Sequence, residues 1–392
     1  MLKVEENDFL TRVGPGTPTG NLFRRYWHPV GVAAEISTER PKKRVRILGE
    51  NLVLFRDERG KLGLLAEQCA HRRASLYYGF VEEDGLRCPY HGWKYDTTGA
   101  CLEQPFEPAN SPLRNEICQQ AYPVEELAGI IWAYLGPRPA PLLPRWEVLV
   151  RDDGCRGIVV HPELECNWLQ VMENSVDTTH TYYLHGHMMH MQGLGDQAAY
   201  YYRPIEHYDF EVVREETWAG VRKVRTYGGD RPEKELGHPV IFPLILLAPQ
   251  HERLVMHFRV PVDDTHTKIF WAEFTPSERE QTVSNASPPV EYLPSYKGGN
   301  GEYDLSTFAN QDAMAWETQG AICDRTLEHL GVSDRGVALY RKMLREQIVI
   351  VQNGGEPLGV LRDPLKNRKI VIPVSTGQAR LARELSARRA AN

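Results

Sequence analysis

Alternating hydrophobic and polar positions predict short β-strands in the first third of the chain. Apolar residues recur between Arg44 and Leu65, and the turn sequence from Asp57 to Gly60 interrupts them, which is typical of a hairpin. Residues 129–135 predict another strand. The glycine- and proline-rich stretch 11–20 lacks the Gly-Lys-Ser/Thr ending of a phosphate loop, so it predicts a turn before a short helix around residues 22–26. We expect that helix to dock on the first domain.

The rest of the chain mixes strand-like and helix-like patterns. Alternation between residues 210 and 275 predicts an antiparallel sheet with one covered face. Longer apolar periodicities predict helices within residues 164–190, 307–330 and 337–350. The C-terminal tail, which is rich in Ala, Arg and Glu, predicts an exposed helix.

A proline-rich segment, residues 136–144, separates the two patterns. Its prolines favour an extended, semi-rigid linker. At 392 residues the chain is long enough for two sizeable cores. We therefore predict one domain over residues 1–143 and a second over residues 144–392.

Composition narrows the class of protein. Hydrophobic residues make up 42% and charged residues 25%, as in ordinary globular proteins, and the net charge of −6 argues against a nucleic-acid or anionic-membrane partner. No apolar run is long enough for a membrane span, and the acidic N-terminus does not predict a signal peptide. Five of the seven cysteines are scattered, which favours a reducing cytoplasm over a disulfide framework: Cys101, Cys118, Cys155, Cys166 and Cys323.

Two mixed cysteine–histidine motifs are the strongest chemical signal. The first is Cys69-Ala-His71 and the second is Cys88-Pro-Tyr-His91. One thiolate and one imidazole from each suit a two-iron, two-sulfide cluster of the Rieske kind, in which two histidines replace two cysteines on one iron. Such clusters have potentials of roughly −150 to +300 mV, against about −400 mV for plant-type ferredoxins, because neutral imidazoles remove negative charge. The motifs therefore predict transfer of single electrons.

A structural zinc ion is the alternative, since two cysteines and two histidines also suit zinc. Zinc sites usually place both cysteines on one motif and both histidines on the other. Here each motif is mixed, and Pro89 and Gly92 allow backbone amides to approach bridging sulfides. The order of ligands favours the cluster. A colourless protein with zinc and no sulfide would support the alternative.

A histidine-rich segment in the second part carries the next signal. It runs from Asn174 through Asp177 and His180 to His185. Asp177 and His180 share a helical face, whereas His180 and His185 are five apart and reach one metal only if the helix bulges or bends. Two histidines and one carboxylate on one side of iron(II) leave positions open for oxygen and substrate. Solvated surface is the alternative, but an electron-delivering cluster needs an acceptor.

The third iron ligand must be a carboxylate from elsewhere in the chain. The sequence alone does not separate four candidates on or near a predicted helix: Asp304, Asp312, Glu317 and Asp324. His187 and His190 fit the ligand spacing less well, so we expect them in the pocket or on the surface. Three arginines are candidates to pair with a substrate carboxylate, although each is more often a surface residue: Arg203, Arg214 and Arg259.

Together the two motifs resemble those of the Rieske non-haem iron ring-hydroxylating oxygenases. They stand in the family's order, and the similarity extends over nearly the whole chain. The opening stretch 11–27 and the stretch 311–331 look like the branch that contains phthalate 4,5-dioxygenase and aryl O-demethylases. The resemblance implies an α+β fold: an all-β N-terminal Rieske [2Fe-2S] domain, then a C-terminal catalytic domain with an antiparallel sheet in a helix-grip arrangement.

The resemblance also implies roles for individual residues. Asp177 would bridge an iron histidine to a cluster histidine of a neighbouring subunit, with His91 the expected partner, and Asn174 would lie beside the iron ligands. Members of this branch are typically homotrimers. The cluster would be held by Cys69, His71, Cys88 and His91, and a mononuclear Fe(II) by His180, His185 and Asp312.

We therefore predict a terminal oxygenase that uses O2 and relayed electrons to oxidise a small aromatic compound, by ring hydroxylation or O-demethylation of an aromatic acid. NAD(P)H electrons would come from a separate reductase, with or without a ferredoxin between them, because the chain has no dinucleotide fingerprint. The alternatives are a Rieske-type electron carrier with no oxygenation activity of its own, and a regulatory protein that has lost turnover.

Overall fold

The computed structural model describes residues 1–108, 110–194, 208–215, 218–227, 233–249, 253–276 and 287–374. Its first part begins with helices α1 (Val4–Thr11) and α2 (Pro18–Phe23). Ten short strands follow, with helix α3 (Leu113–Glu116) between the eighth and ninth: β1 (Trp27–Val32), β2 (Lys42–Ile47), β3 (Glu50–Arg56), β4 (Leu62–Ala66), β5 (Phe80–Glu82), β6 (Gly85–Arg87), β7 (Lys94–Tyr95), β8 (Cys101–Glu103), β9 (Val124–Leu127) and β10 (Ile130–Tyr134).

These strands form three small antiparallel sheets, ordered β1-β10-β9, β2-β3-β4 and β5-β6-β7-β8. The predicted hairpin is confirmed, since β3 pairs with β4 and the amide of Asp57 donates to the carbonyl of Lys61 at 3.0 Å. The strand predicted at residues 129–135 is confirmed as β10, which is buried along its whole length. The first part is therefore a scaffold of short strands from which loops project.

The second part contains one large sheet and the helices that cover it. Its helices are α4 (Glu147–Val150), α5 (Trp168–Val176), a π-helix (Thr181–His187), α6 (Met188–Met191), α7 (Phe308–Glu317) and α8 (Arg335–Gln352). Its strands are β11 (Gly154–Val160), β12 (Tyr208–Glu215), β13 (Gly220–Tyr227), β14 (Glu233–Leu236), β15 (Val240–Ile241), β16 (Ile245–Leu247), β17 (Leu254–Pro261), β18 (Thr267–Pro276) and β19 (Val290–Tyr292).

The sheet runs in the order β12-β13-β15-β16-β17-β18-β11-β19, and β14 pairs with β13. Its described pairings are antiparallel except that of β11 with β19. The predicted antiparallel sheet is thus confirmed, with one parallel strand at its edge. The longest of these pairings, such as that of β17 with β18, form the continuous centre of the sheet in the second part of the chain.

The expectation of a single covered face is wrong for the centre of this sheet. From Val255 to Pro261 every residue of β17 is buried. One face packs on α5, and on the other the ring of Phe258 meets Trp132 of β10 edge to face at 4.8 Å. The β1-β10-β9 sheet covers the outer face. Alternate residues of β17 therefore point into two different buried regions, and neither face of the strand is exposed to solvent.

The predicted helices differ in their outcomes. The region 164–190 is helical in α5, the π-helix and α6, and the helix predicted at 337–350 is confirmed as α8. The helix predicted over 307–330 is wrong in length, because α7 ends at Glu317 and Gly320 follows with a φ of 90°, a conformation that stops helices. The predicted tail helix, residues 375–392, lies outside the described residues.

The N-terminal helices contact both parts of the chain. Helix α2 begins earlier than predicted, because Thr17 caps it by accepting a hydrogen bond from the amide of Gly20 at 3.2 Å. Its expected docking on the first domain is wrong in its main contacts: it packs on α8, and Phe23 meets Trp168 of α5 at 4.6 Å. The buried guanidinium of Arg24 still reaches the first part, where it pairs with Glu50 at 2.7 Å.

The proline-rich segment lies against both parts as well. The indole nitrogen of Trp27 donates to the carbonyl of Pro141 at 2.9 Å, and the amide of Leu142 donates to the carbonyl of Leu361 at 2.8 Å. The division at residues 143 and 144 stays a prediction. Among the described residues, no helix combines the length and apolar character needed to cross a membrane.

Candidate functional site

Two tight loops bring the cysteine–histidine motifs together. The first follows β4, and the amide of Arg73 donates to the carbonyl of Cys69 at 2.9 Å. The second joins β6 to β7, where the amide of Cys88 donates to the carbonyl of Trp93 at 2.8 Å and Gly92 turns the chain with a φ of 74°. Each loop therefore presents its cysteine and histidine from a fixed backbone turn.

The four side chains differ in burial, with the cysteines inside and the histidines nearer the surface. Cys69 and Cys88 are buried, and Cys69 Sγ lies 3.2 Å from the hydroxyl of Tyr95. His71 and His91 are half-buried with ring centroids 4.6 Å apart, and His71 stacks on Trp93 at 4.3 Å. Buried sulfurs with imidazoles towards the surface suit a cluster that exchanges electrons through its histidines.

The electrostatics of the two thiols favour metal binding. The neighbouring Cys88, with Tyr95 and nearby backbone amides, lowers the pKa of Cys69 to about 5 against the opposing effect of burial. The thiolate is the form that binds metal. The same pairing raises the pKa of Cys88, so two thiolates at this spacing need a cation between them. The donor set fits a [2Fe-2S] cluster.

The π-helix accounts for the second motif. Its hydrogen bonds span five residues rather than four, so side chains five apart are brought towards one face. His180 precedes it and His185 lies within it, with ring centroids 5.4 Å apart. The predicted bulge is confirmed, and it removes the spacing problem that a regular helix would pose for these two histidines.

Ligand atoms from three residues converge here. One ligand atom each from His180, His185 and Asp312 lie within 4.8 Å of one another, and His185 Nε2 is 3.3 Å from Asp312 Oδ1. Asp312 reaches the histidines from α7, and Asn174 Nδ2 donates to its Oδ1 at 3.3 Å. The arrangement is the two-histidine, one-carboxylate set that suits non-haem iron.

The other candidate carboxylates are engaged elsewhere. Asp304 is exposed and accepts a hydrogen bond from the amide of Ser306 at 3.0 Å. Glu317 pairs with Lys297 at 3.0 Å, and Asp324 accepts from the amide of Thr326 at 3.0 Å. Among the four candidates only Asp312 belongs to the three-ligand group.

Two acceptors fix the orientation of the histidine rings. His180 Nδ1 lies 3.0 Å from Asp177 Oδ2, and His185 Nδ1 lies 2.9 Å from Gln311 Oε1. The amide nitrogen of Gln311 donates to the carbonyl of Leu305 at 2.9 Å, which keeps its oxygen towards His185. Both Nδ1 atoms therefore donate, and both Nε2 lone pairs are left for a metal. Sequence reasoning missed Gln311, although it directly precedes Asp312.

The same contacts keep the carboxyl groups of Asp177 and Asp312 ionised. Burial raises the pKa of Asp177, but hydrogen bonds from His180 and Thr179 outweigh it and hold the pKa below its usual range. Burial also raises the pKa of Asp312, and His185 reverses that effect. Both carboxyl groups are therefore anions at neutral pH, as a ligand and an acceptor must be.

The remaining predicted residues lie around this centre. His187 is half-buried beside Tyr183, and His190 is exposed. The guanidinium of Arg214 forms a salt bridge with the carboxylate of Glu346 at 2.5 Å. Arg203 lies outside the described residues. Arg259 is buried on β17, so the alternative that it is a surface residue is wrong, and its pairing with a substrate carboxylate stays a prediction.

Comparison with known protein families identifies two regions. Residues 26–123 match the Rieske [2Fe-2S] domain, and residues 296–376 match the family described as LigXa C-terminal domain like. The first region contains both cysteine–histidine loops, and the second contains Asp312.

Curated relatives cover most of the chain. The 5,5'-dehydrodivanillate O-demethylase oxygenase subunit of Sphingobium sp. is 40% identical over 95% of this chain and 87% of the relative. The tert-butanol monooxygenase / tert-amyl alcohol desaturase oxygenase subunit of Aquincola tertiaricarbonis is 34% identical over 86% and 76%. The phthalate 4,5-dioxygenase oxygenase subunit of Pseudomonas putida is 31% identical over 94% and 91%.

A solved structure agrees in fold. NdmA of Pseudomonas putida CBB5 superposes with a TM-score of 0.63 over 88% of this chain and 97% of that chain, at 24% identity. The chain therefore belongs to the Rieske non-haem iron oxygenases. It is a terminal oxygenase subunit of a multicomponent system, with a Rieske [2Fe-2S] cluster and a mononuclear iron in its catalytic domain.

Proposed function

We propose that this oxygenase oxidises an aromatic acid, by O-demethylation of a methoxy group or by hydroxylation of the ring. Two relatives support the substrate class, since the names of both specify aromatic carboxylates, dehydrodivanillate and phthalate. A third relative is named for aliphatic alcohols, so family membership alone leaves the class open. The observation that carries the proposal is the three-ligand group of His180, His185 and Asp312.

We assign the cluster to Cys69, His71, Cys88 and His91 and the iron to His180, His185 and Asp312. The bound iron would supply oxygen activation. The chain's own residues prepare its site: Asp177 and Gln311 hold the histidine rings through Nδ1, and Asn174 holds Asp312 through Oδ1. Three ligands from one side would leave the opposite side for oxygen and substrate.

We further propose that electrons cross between subunits of a homotrimer. His71 and His91 are only half-buried, and Tyr90, which is 56% exposed, has its ring 3.7 Å from that of His91. Between α7 and α8, Leu327 and Val332 are likewise exposed at 71% and 81%. Exposed aromatic and apolar surface in these two places supports a neighbouring copy that covers it.

Asp177 would then link the two centres. Its Oδ2 accepts from His180, and its side chain is 19% exposed, so an edge of the carboxylate is open to a partner. A protonated nitrogen of His91 from the neighbouring subunit would complete that contact. An NAD(P)H-dependent reductase, with or without a ferredoxin, would reduce the cluster. The seven cysteines, all within the described residues, form no disulfide with one another, which supports a cytoplasmic location.

An electron carrier without its own oxygenation is disfavoured by the same geometry. An electron carrier needs no second metal site, whereas here Asp177, Gln311 and Asn174 orient two histidines and a carboxylate for one. Electron transfer through the cluster in an iron-reconstituted protein that binds no mononuclear iron and consumes no substrate would favour that alternative.

Product analysis tests the proposal. The holoenzyme would be incubated with NADH, O2, a surrogate reductase and a panel of phthalates, methoxylated benzoates and methoxylated biaryl acids, and the products weighed by mass spectrometry. Loss of a methylene unit with release of formaldehyde identifies O-demethylation, and gain of two oxygens and two hydrogens identifies ring dioxygenation. Absence of oxidised product across the panel, with both metals loaded, would overturn the proposed substrate class.

A further inference from the structure

Four polar side chains share one face of the large sheet. His257 and Arg259 are two apart on β17, so both point to the same face, and Trp271 lies directly opposite His257 on β18. The rings of His257 and Trp271 stack at 4.3 Å, and the ring of His161, which follows β11, lies 4.2 Å from Trp271. We name this group the donor patch: His161, His257, Arg259 and Trp271.

Each member of the donor patch has a buried nitrogen without a partner. Within the described part of the chain, no hydrogen bond is made by these four atoms: His161 Nε2, His257 Nε2, Arg259 Nε and Trp271 Nε1. His161, His257 and Arg259 are at most 8% exposed. A buried polar group left unpaired costs on the order of 1–3 kcal/mol, so four on one face call for a common explanation.

Two of the unpaired atoms, Trp271 Nε1 and Arg259 Nε, can only donate, because indole and guanidinium nitrogens are donors and not acceptors. His161 Nδ1 lies 2.8 Å from the hydroxyl of Tyr296, and burial lowers the pKa of His161 to about 3, so its ring is neutral. In the tautomer whose Nδ1 accepts from the Tyr296 hydroxyl, the ring proton is on Nε2, which makes that atom a third donor. The group that satisfies this patch is therefore rich in acceptors.

Charge favours an anionic acceptor. The guanidinium of Arg259 donates to the carbonyl of Val171 and the hydroxyl of Ser175, and it pairs with no carboxylate in the described regions. Lys223 and Arg225 are also buried, and they donate to Ser175 and Thr181 beside the iron helices. A buried guanidinium without a carboxylate beside it is costly, and a substrate carboxylate placed next to Arg259 relieves that cost.

The donor patch lies against the helices that carry iron-site residues. Arg259 contacts α5, and its guanidinium lies 5.3 Å from the ring of Trp316, one turn beyond Asp312 on α7. The patch therefore lies beside α5, which carries Asn174, and α7, which carries Asp312.

We propose that the donor patch binds the carboxylate of the aromatic substrate and so determines which part of the ring faces the iron. This inference rests on the proposed function and names the group by which its substrate is held. Trp271 and His161 donate to the carboxylate oxygens, His257 stacks on Trp271 at their edge, and Arg259 supplies the opposite charge. A neutral analogue lacks both the charge and one acceptor, so the patch discriminates against it.

Direct binding to the unreduced holoenzyme tests this inference without turnover. Isothermal titration calorimetry would compare 3-methoxybenzoate, phthalate and a methoxylated biphenyl carboxylate, each with its carboxamide. We expect at least one acid to bind ten or more times more tightly than its amide. The Trp271→Phe variant keeps the ring and removes the donor, so it should weaken that acid about tenfold, as loss of one charge-assisted hydrogen bond does, and change its amide less than twofold.

The matched control is Trp218→Phe. Trp218 also has a buried indole nitrogen without a partner, but it packs in the other core cluster, so its replacement should leave acid binding unchanged. If the Trp271 variant loses its cluster absorbance or folds poorly, His257→Leu provides the second variant. Equal affinity for acids and amides, or equal loss in both tryptophan variants, would overturn the inference and indicate that the patch holds ordered water only.

The outcomes are distinguishable from failure of the proposed function. Oxidation of neutral aromatics without preferential acid binding would contradict the donor patch and leave the oxygenase activity intact. Patch-dependent acid binding without any oxidised product would support the patch and contradict the proposed activity.

Discussion

Asp177 accepts two hydrogen bonds from a single residue, His180, through one carboxylate oxygen. Oδ2 lies 2.9 Å from the backbone nitrogen and 3.0 Å from Nδ1 of the ring. Oδ1 accepts from the amide and hydroxyl of Thr179 at 2.8 and 2.9 Å. Asp177 also ends α5, so the same side chain terminates the helix and fixes the ring that is proposed to bind iron.

Replacing Asp177 with Asn should separate metal binding from electron delivery. An amide has one acceptor oxygen where the carboxylate has two, so two of the four donors lose their acceptor and the proposed contact to the neighbouring cluster histidine is weakened. We expect both metals to remain bound and product formation to fall by about two orders of magnitude. Thr179→Val, which removes one donor and keeps the carboxylate, is the control. Normal turnover in Asp177→Asn would refute the bridging role.

The hydroxyl of Tyr95 should raise the reduction potential of the cluster. It lies 3.2 Å from Cys69 Sγ, and hydrogen bonds to cluster sulfurs stabilise the reduced, more negative state. Tyr95→Phe keeps the buried ring and removes the donor, so we expect a lower potential in a redox titration followed by electron paramagnetic resonance. Tyr90→Phe is the control, because Tyr90 is exposed and contacts a ring rather than a sulfur. An unchanged potential in Tyr95→Phe would contradict this role.

Glu173 should stabilise the helix that carries the iron-site residues. Its carboxylate pairs with Arg325 at 2.8 Å and with Arg341 at 2.6 Å, and both arginines are buried. Breaking a buried ion pair from one side leaves unpaired charge, so Glu173→Gln should cost about 3–5 kcal/mol in denaturant unfolding. Glu356→Gln breaks the exposed pair with Arg362 and should cost less than about 1 kcal/mol. Equal losses of unfolding free energy in the two variants would contradict a special stabilising role for the buried ion pairs of Glu173.

Buried neutral histidines should make the fold sensitive to mild acid. Burial lowers the pKa of His28 to about 4, and the unfolded value is about 6.5. Because the unfolded chain binds the proton more readily, the stability from His28 is present above pH 6.5 and is lost as the pH falls towards 4. Each unit in that window costs about 1.4 kcal/mol per such histidine.

Thermal unfolding at pH 7, 6 and 5 checks this pH dependence. His28→Gln retains a donor to the carbonyl of Phe23, which His28 Nε2 contacts at 2.8 Å, and removes the titrating group. The variant should therefore show a shallower fall in midpoint than the parent. Parallel pH profiles would assign the acid sensitivity to other groups.

Local sequence signals predicted the parts of the fold that local physics determines. The strands around Asp57 follow from alternation and a turn sequence, and both cysteine–histidine loops follow from ligand spacing. The sequence also contains a signal for the end of α7, because Gly320, three residues beyond Glu317, is a residue at which helices stop. The burial of both faces of β17 could not be predicted from the sequence, since it depends on a second sheet that packs on Phe258.

Contacts between distant segments limited prediction of the site. The five-residue interval between His180 and His185 suggested a bulge, and the π-helix supplies one. Gln311 and the donor patch were missed because their roles depend on how α7 and neighbouring strands are placed, which periodicity does not encode. The pairing of His257 with Trp271 is a matter of strand register, and a shift by one residue would turn both to the other face.

The iron-site assignment is tested most directly by the metal content of Asp312→Ala compared with that of Asp304→Ala. We predict that Asp312→Ala loses mononuclear iron and oxygenation while the cluster keeps its visible and electron paramagnetic resonance spectra, and that Asp304→Ala retains both metals. Retention of mononuclear iron in Asp312→Ala, or its loss in Asp304→Ala, would contradict the assignment of the iron site.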